Sequence, residues 1–83
     1  MALNPLQFFS DCLGRVSALR VDREAYGDTS GEARADAMRV VLAELVQAMT
    51  PPDGAPQVLT WRAEARAAQA TLMTQAALNA DRQ

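Results

Sequence analysis

The chain has 83 residues, of which 17 are Ala and 8 are Arg, with no Lys and a formal net charge of −2 at pH 7. The absence of His excludes a His general base and an imidazole metal ligand, and the single Cys excludes an internal disulfide or a thiolate zinc site. The acidic balance argues against electrostatic capture of nucleic acid or of an anionic membrane, which needs a basic footprint.

The first predicted helix spans residues 5–25. Asn4 and Pro5 supply an N-cap residue and a Pro at the first helical position. One apolar arc follows at helical spacing, and Phe8 extends it; its members are Leu6, Phe9, Cys12, Leu13, Val16 and Leu19. Gly14 is predicted on the opposite face, where it costs about 1 kcal/mol relative to Ala. Gly27 is a plausible C-terminal cap.

The second predicted helix spans residues 31–49. Thr29 and Glu32 fit the capping box, in which a hydroxyl and a carboxylate three residues later satisfy each other's backbone N–H groups. The predicted core face consists of Ala35, Met38, Leu42, Leu45, Val46 and Met49. Val40 points away from this face, and Pro51 and Pro52 end the helix.

The third predicted helix spans residues 56–80 and is rich in Ala. Its predicted seam consists of Val58, Trp61, Ala65, Ala68, Leu72 and Ala76. A second apolar line lies more than a quarter turn away and consists of Leu59, Ala63, Ala67, Ala70 and Ala77. A helix with two weakly apolar sides can contact two neighbours at once.

These elements predict an all-α fold, because no segment alternates with the period of a strand. We expect one domain over residues 1–83, folded as an antiparallel three-helix bundle in an up-down-up arrangement. Because so much of the apolar content is Ala, the core is small and gives only a few kcal/mol of stability. Dimerisation or a partner is therefore expected to complete the bundle.

No cofactor or metal is predicted. The segment from Asp22 to Asp28 resembles the start of a calcium-binding helix-loop-helix loop, but Ala33 stands where a bidentate Glu is required. The carboxylates lie mostly on solvated faces, with no facing pair in an apolar pocket. We therefore expect a protein that is not an enzyme.

The candidate partner-binding residues are Phe8, Arg20, Arg23, Val40, Trp61, Arg62 and Arg66. Arg20 and Arg23 fall in the apolar arc of the first helix, where they either snorkel at its end or pair with acids across a dimer. Arg62 and Arg66 either contact an acidic partner or form a solvated stripe with Gln69 and Met73, balanced by nearby acids.

The sequence predicts a small non-enzymatic interaction module: an adaptor, inhibitor or accessory subunit that binds another protein, or a second copy, through a helical apolar surface. The alternative is a helical DNA-binding regulator that uses Arg15, Arg20, Arg23, Arg34 and Arg39. No leader-like or membrane-spanning run is visible, so a cytoplasmic location is expected. The preference for Arg over Lys and the high Ala content are typical of a bacterial or phage coding sequence.

Overall fold

The computed structural model describes residues 4–81, which form three helices and contain no strand: α1 (Pro5–Ala25), α2 (Thr29–Met49) and α3 (Ala55–Asp81). The predicted all-α three-helix bundle is confirmed. The predicted span of α1 is reproduced, whereas α2 begins two residues earlier and α3 gains one residue at each end. The predicted domain also includes residues 1–3 and 82–83, which lie outside the described part. Within residues 4–81, no helix is both long and apolar enough to cross a membrane.

The ends of α1 form as its sequence predicts. The Asn4 side chain accepts hydrogen bonds from the backbone N–H groups of Leu6 at 3.1 Å and Gln7 at 3.3 Å. At the other end, Gly27 has a φ of +72° and donates to the carbonyl of Glu24, while Asp28 N–H donates to the carbonyl of Arg23. These two bonds define a Schellman motif, which requires the left-handed conformation that glycine adopts without strain.

The start of α2 differs from the predicted capping box. Asp28, not Thr29, is the N-cap residue, and its carboxylate accepts the N–H of Gly31 at 2.9 Å. The Schellman turn places Asp28 directly before the helix, so the better carboxylate acceptor takes the cap position and Thr29 becomes the first helical residue.

α1 is the central helix, with α2 and α3 packed on different sides of it. α2 runs antiparallel to α1 because a tight turn joins them. α3 runs parallel to α1: Gly14 lies beside Ala65, and Val21 lies beside Met73. In the part of the chain that the structure describes, no Cα of α2 comes within 8 Å of a Cα of α3. The two outer helices therefore meet only through side chains near the α2–α3 loop.

The core lies at that loop end. Leu13, Val46 and Val58 are buried together, and five partly buried side chains pack against them: Leu6, Phe9, Leu42, Ala43 and Trp61. Each helix contributes one of the three central residues, so this cluster joins all three helices. The apolar arc predicted for α1 is thus correct around Leu13.

α1 has a second buried face outside the predicted apolar arc. Ser10, Gly14 and Ala18 are buried against α3. The Ser10 hydroxyl donates to the carbonyl of Leu6 at 2.7 Å, which satisfies its hydrogen bond inside its own helix. A Cβ at position 14 would collide with the carbonyl oxygen of Arg62. Gly14 therefore allows the close approach of two helices, and its predicted exposure is wrong.

The face of α3 that packs on α1 is rotated from the predicted seam. Val58 and Ala65 lie on it as predicted, and it continues through three half-buried residues: Gln69, Met73 and Ala77. The predicted members Ala68, Leu72 and Ala76 are exposed. The close contact at Gly14 fixes the rotation of α3, whereas its Ala-rich sequence shows little difference between its sides.

α2 is also less buried than predicted. Ala35 and Val46 are buried and Leu42 and Met49 are half-buried, but Met38 and Leu45 are exposed. Because α3 packs beyond α1 and meets α2 only near the α2–α3 loop, the outer part of the apolar face of α2 stays in solvent.

The bundle is elongated and exposes much surface. It measures 47 × 27 × 21 Å, and its radius of gyration is 14.2 Å, against about 12 Å for a compact domain of this length. Its accessible surface is 5882 Å², against about 4,800 Å² for a compact monomer of this mass. The excess of about 1,100 Å² is comparable with what one partner contributes to a protein interface.

Candidate protein-interaction surfaces

The polar residues of the α1–α2 turn are engaged in holding the turn. Asp28 caps α2, and its other carboxylate oxygen lies 3.9 Å from Nε of Arg23. Across residues 4–81 there is no group of three or more Cys, Asp and Glu side chains placed to hold a metal ion. The carboxylates of this turn therefore act locally in the fold.

One open groove runs between α1 and α3, and we call it the α1–α3 groove. Gly14 and Ser17 line its α1 side, and its α3 side consists of Leu59, Arg62, Ala63, Arg66, Ala67 and Ala70. The groove is shallow and smooth because most of these residues have small side chains. Leu59 is 61% exposed and is the largest apolar side chain in it.

The groove carries two cations without acidic partners. Arg62 is half-buried and Arg66 is exposed, one turn apart on the same wall. Among the described residues, no carboxylate lies within 4.0 Å of either guanidinium. Charges four residues apart on a helix repel each other slightly. An anionic group in the groove would relieve that repulsion and accept hydrogen bonds from the planar guanidinium groups of both arginines.

A second apolar surface lies on α2, and we call it the α2 row. Its members Met38, Val41, Leu45 and Ala48 recur at spacings of three and four residues, which aligns them along one side of the helix. Val41 is 64% exposed, Met38 48% and Leu45 37%. Ala37 and Leu42 adjoin the row and line a shallow depression with Met38 and Val41.

Three arginines near the α1–α2 turn, Arg20, Arg23 and Arg39, lie close to acids of the same chain. Arg20 lies 3.8 Å from Glu24 and 4.0 Å from Asp36, and Arg39 lies 2.9 Å from Asp36. Arg23 pairs with Asp28 as described above. Arg20 and Arg23 thus lie next to acids of their own chain, and pairing across a dimer stays a prediction.

The remaining predicted site residues lie in three separate places. Phe8 is 50% exposed on α1, and its ring packs edge-on against Phe9 with centroids 5.3 Å apart. Val40 is exposed on α2, but it lies about 100° around the helix from Val41 and outside the α2 row. Trp61 is half-buried against the core cluster, so it contributes to packing.

Arg62 and Arg66 are predicted site residues, whereas the apolar residues beside them and those of the α2 row are not among the predicted ones. A signal for the groove was present, because Leu59, Ala63, Ala67 and Ala70 form the second apolar line of α3. That line was expected to contact another helix. In the described residues α3 packs along α1 and meets α2 only near the α2–α3 loop, so most of this line is exposed. The α2 row could not be predicted in this way, because the exposure of Met38 and Leu45 depends on where α3 packs.

No protein-family model matches the chain, and no curated protein or solved structure shows significant similarity to it.

Proposed function

We propose that this chain is a small non-enzymatic interaction module, an adaptor, inhibitor or accessory subunit that is encoded by a bacterium or a phage and works in the bacterial cytoplasm. The α1–α3 groove is its site for another protein. The observation that carries this proposal is the combination in one open groove of an exposed Leu59, a run of Ala and two arginines that have no acidic partner among the described side chains. An apolar surface next to unpaired charge is typical of protein interfaces.

The chemistry of the groove indicates the kind of segment that it binds. The Ala-lined floor accepts the side chains of an extended or helical segment, and Leu59 packs against an apolar residue of that segment. Arg62 and Arg66 attract carboxylates spaced by one helical turn. We therefore propose an amphipathic partner segment with an apolar side and at least one Asp or Glu beside it.

The DNA-binding alternative has less support. It relies on Arg15, Arg20, Arg23, Arg34 and Arg39, and three of these five form ion pairs with acids of the same chain. Guanidinium groups that already face carboxylates contribute less to a positive field around the bundle. A salt-sensitive gel shift with duplex DNA would favour that alternative.

Site-specific photo-crosslinking in the source cell tests the proposal. A photoreactive amino acid replaces Leu59 in the groove, and in a control chain it replaces Gln75, an exposed residue of α3 outside the groove. We expect adducts with another protein from position 59 and few from position 75. Equal yields from the two positions, or no adduct from position 59, would refute the groove as the binding site.

Charge reversal then tests the contribution of the arginines. We expect Arg66→Glu to lower the adduct yield at position 59 about tenfold, because it places like charges at the interface. Arg15→Glu makes the same charge change on an exposed residue outside the groove and should leave the yield unchanged. Circular dichroism of both variants checks that the helices are retained. If the two variants have equal effects, only net charge matters and the specific role of Arg66 is excluded.

A further inference from the structure

We propose that a second copy of this chain covers the α2 row, with the two α2 helices packed antiparallel about a two-fold axis. This inference rests on the proposed function only in its premise that the chain acts by association. It concerns a different helix face from the α1–α3 groove. The evidence is the spacing of the row, its size pattern, the charges at its ends and the surface area that the monomer exposes.

The spacing of the α2 row is that of a helix-packing seam. Met38, Val41, Leu45 and Ala48 occupy alternating positions three and four residues apart, the pattern by which one helix presents a narrow apolar strip to another. Such a strip suits a second helix better than an extended segment or a flat surface. The depression beside it, formed with Ala37 and Leu42, gives room for the side chains of that helix.

The row is complementary to itself when it is reversed. Antiparallel pairing about its midpoint places Val41 against Leu45 of the second copy and Met38 against Ala48 of the second copy. Each of the two outer contacts then combines the long Met38 with the small Ala48, and the two inner contacts between Val41 and Leu45 are equivalent. A two-fold axis makes the same surface serve both chains, as in most dimers of identical subunits.

The charges at the ends of the row favour the antiparallel direction. Arg34 lies one turn before Met38 and, among the described residues, forms no ion pair. The last turn of α2 contains no basic residue. Antiparallel pairing brings Arg34 to the C-terminal end of the other α2, where a cation interacts favourably with the helix dipole. Parallel pairing would instead place two Arg34 side chains next to each other.

The whole chain, of which the α2 row is one part, exposes enough surface to include an interface of standard size. The chain exposes about 1,100 Å² more than a compact monomer of its mass, while a standard interface buries about 800 Å² per partner. Because the row itself is narrow, we expect a moderate affinity, with a dissociation constant on the order of 10 μM.

Sedimentation equilibrium of the purified full chain tests this proposal between about 1 μM and about 1 mM. We expect twice the mass of the 8.9 kDa chain at the upper concentrations. Val41→Asp should raise the dissociation constant at least about 100-fold, because it buries a charge at the centre of the interface. Val40→Asp, the same change one residue away and outside the row, should alter it by no more than about twofold. A monomer at every concentration, or equal effects of the two variants, would overturn the proposal.

Disulfide trapping provides a test that needs no destabilising charge. In a Cys12→Ala background, Val41→Cys and Leu45→Cys chains of different mass are mixed and oxidised. With equal amounts of the two chains, we expect the 41–45 heterodimer to exceed each homodimer by far more than the roughly twofold excess that random pairing gives, because the antiparallel arrangement brings these positions together. A dominant 41–41 product would contradict the antiparallel arrangement.

If the purified chain is monomeric while position 59 still crosslinks to another protein in cells, the dimer is refuted and the proposed function stands. If position 59 gives no adducts but the 41–45 dimer is trapped, the α2 dimer is supported and the proposed function of the groove is refuted.

Discussion

The substitution Gly14→Ala has opposite expected effects on stability when it is judged from the structure and when it is judged from the sequence alone. In an exposed helix interior, Ala is favoured over Gly by about 1 kcal/mol, so the sequence analysis predicts stabilisation. In the structure, the new Cβ would collide with the carbonyl oxygen of Arg62 and lie 3.0 Å from the Ala65 Cβ and the Arg66 backbone nitrogen. Two of these three atoms belong to the backbone of α3, so they cannot move aside as the end of a flexible side chain can.

The size of the effect follows from these opposing contributions. Overpacking typically costs about 1–3 kcal/mol, and contact with a backbone carbonyl favours the upper end of that range. After subtracting the gain in helix propensity of about 1 kcal/mol, we expect a net destabilisation of about 2 kcal/mol. For a domain of this length, that change lowers the melting temperature by about 8–16 °C.

Urea unfolding followed by far-ultraviolet circular dichroism measures this change, with both proteins at one fixed concentration so that association affects them alike. Arg15→Ala is the control, because Arg15 is the exposed neighbour of Gly14 and its loss should shift stability by no more than about 0.5 kcal/mol. If Gly14→Ala stabilises the chain by about 1 kcal/mol, the close packing of α1 on α3 is refuted.

The other stability predictions concern the corrected cap and the corrected seam. Asp28→Ala should cost about 1 kcal/mol because it removes the N-cap of α2, whereas Thr29→Ala should change stability by less than about 0.5 kcal/mol. If Thr29→Ala lowers stability more than Asp28→Ala in urea unfolding, Thr29 is the N-cap residue and the predicted capping box is correct. Leu13→Ala should cost about 2–5 kcal/mol because Leu13 is fully buried. The exposed Leu72→Ala should stay within about 0.5 kcal/mol, and similar losses for the two would contradict the observed rotation of α3.

The helices and most of their ends are predictable from the sequence, because their causes are local. Asn4 and Pro5 start α1, and Gly27 ends it with a conformation that other residues rarely adopt. The apolar arc around Leu13 is equally evident, since its spacing is that of one helix face. The shift of the α2 cap by one residue shows the limit of such reasoning, because the preceding turn decides which acceptor stands at the helix end.

The arrangement of α3 is not predictable in the same way. Its Ala-rich sequence offers several sides of similar apolarity, and the contact that chooses among them depends on Gly14 and Ser10 of another helix. Those two residues show no apolar signal, so the second buried face of α1 escapes a hydrophobicity pattern. The exposure of Met38 and Leu45 follows from the same arrangement. The α1–α3 groove was therefore visible only as an apolar line and two arginines, without the neighbour that brings them together.

The central claim is that this chain acts by binding an acidic amphipathic segment of another protein in the α1–α3 groove. The most direct measurement is the sequence of the peptide joined to a photoreactive side chain at position 59, read by mass spectrometry. We predict a peptide from a different protein, with apolar residues on one side and Asp or Glu positioned to face Arg62 and Arg66. A peptide without acidic residues, or one from a second copy of this chain, would contradict the claim.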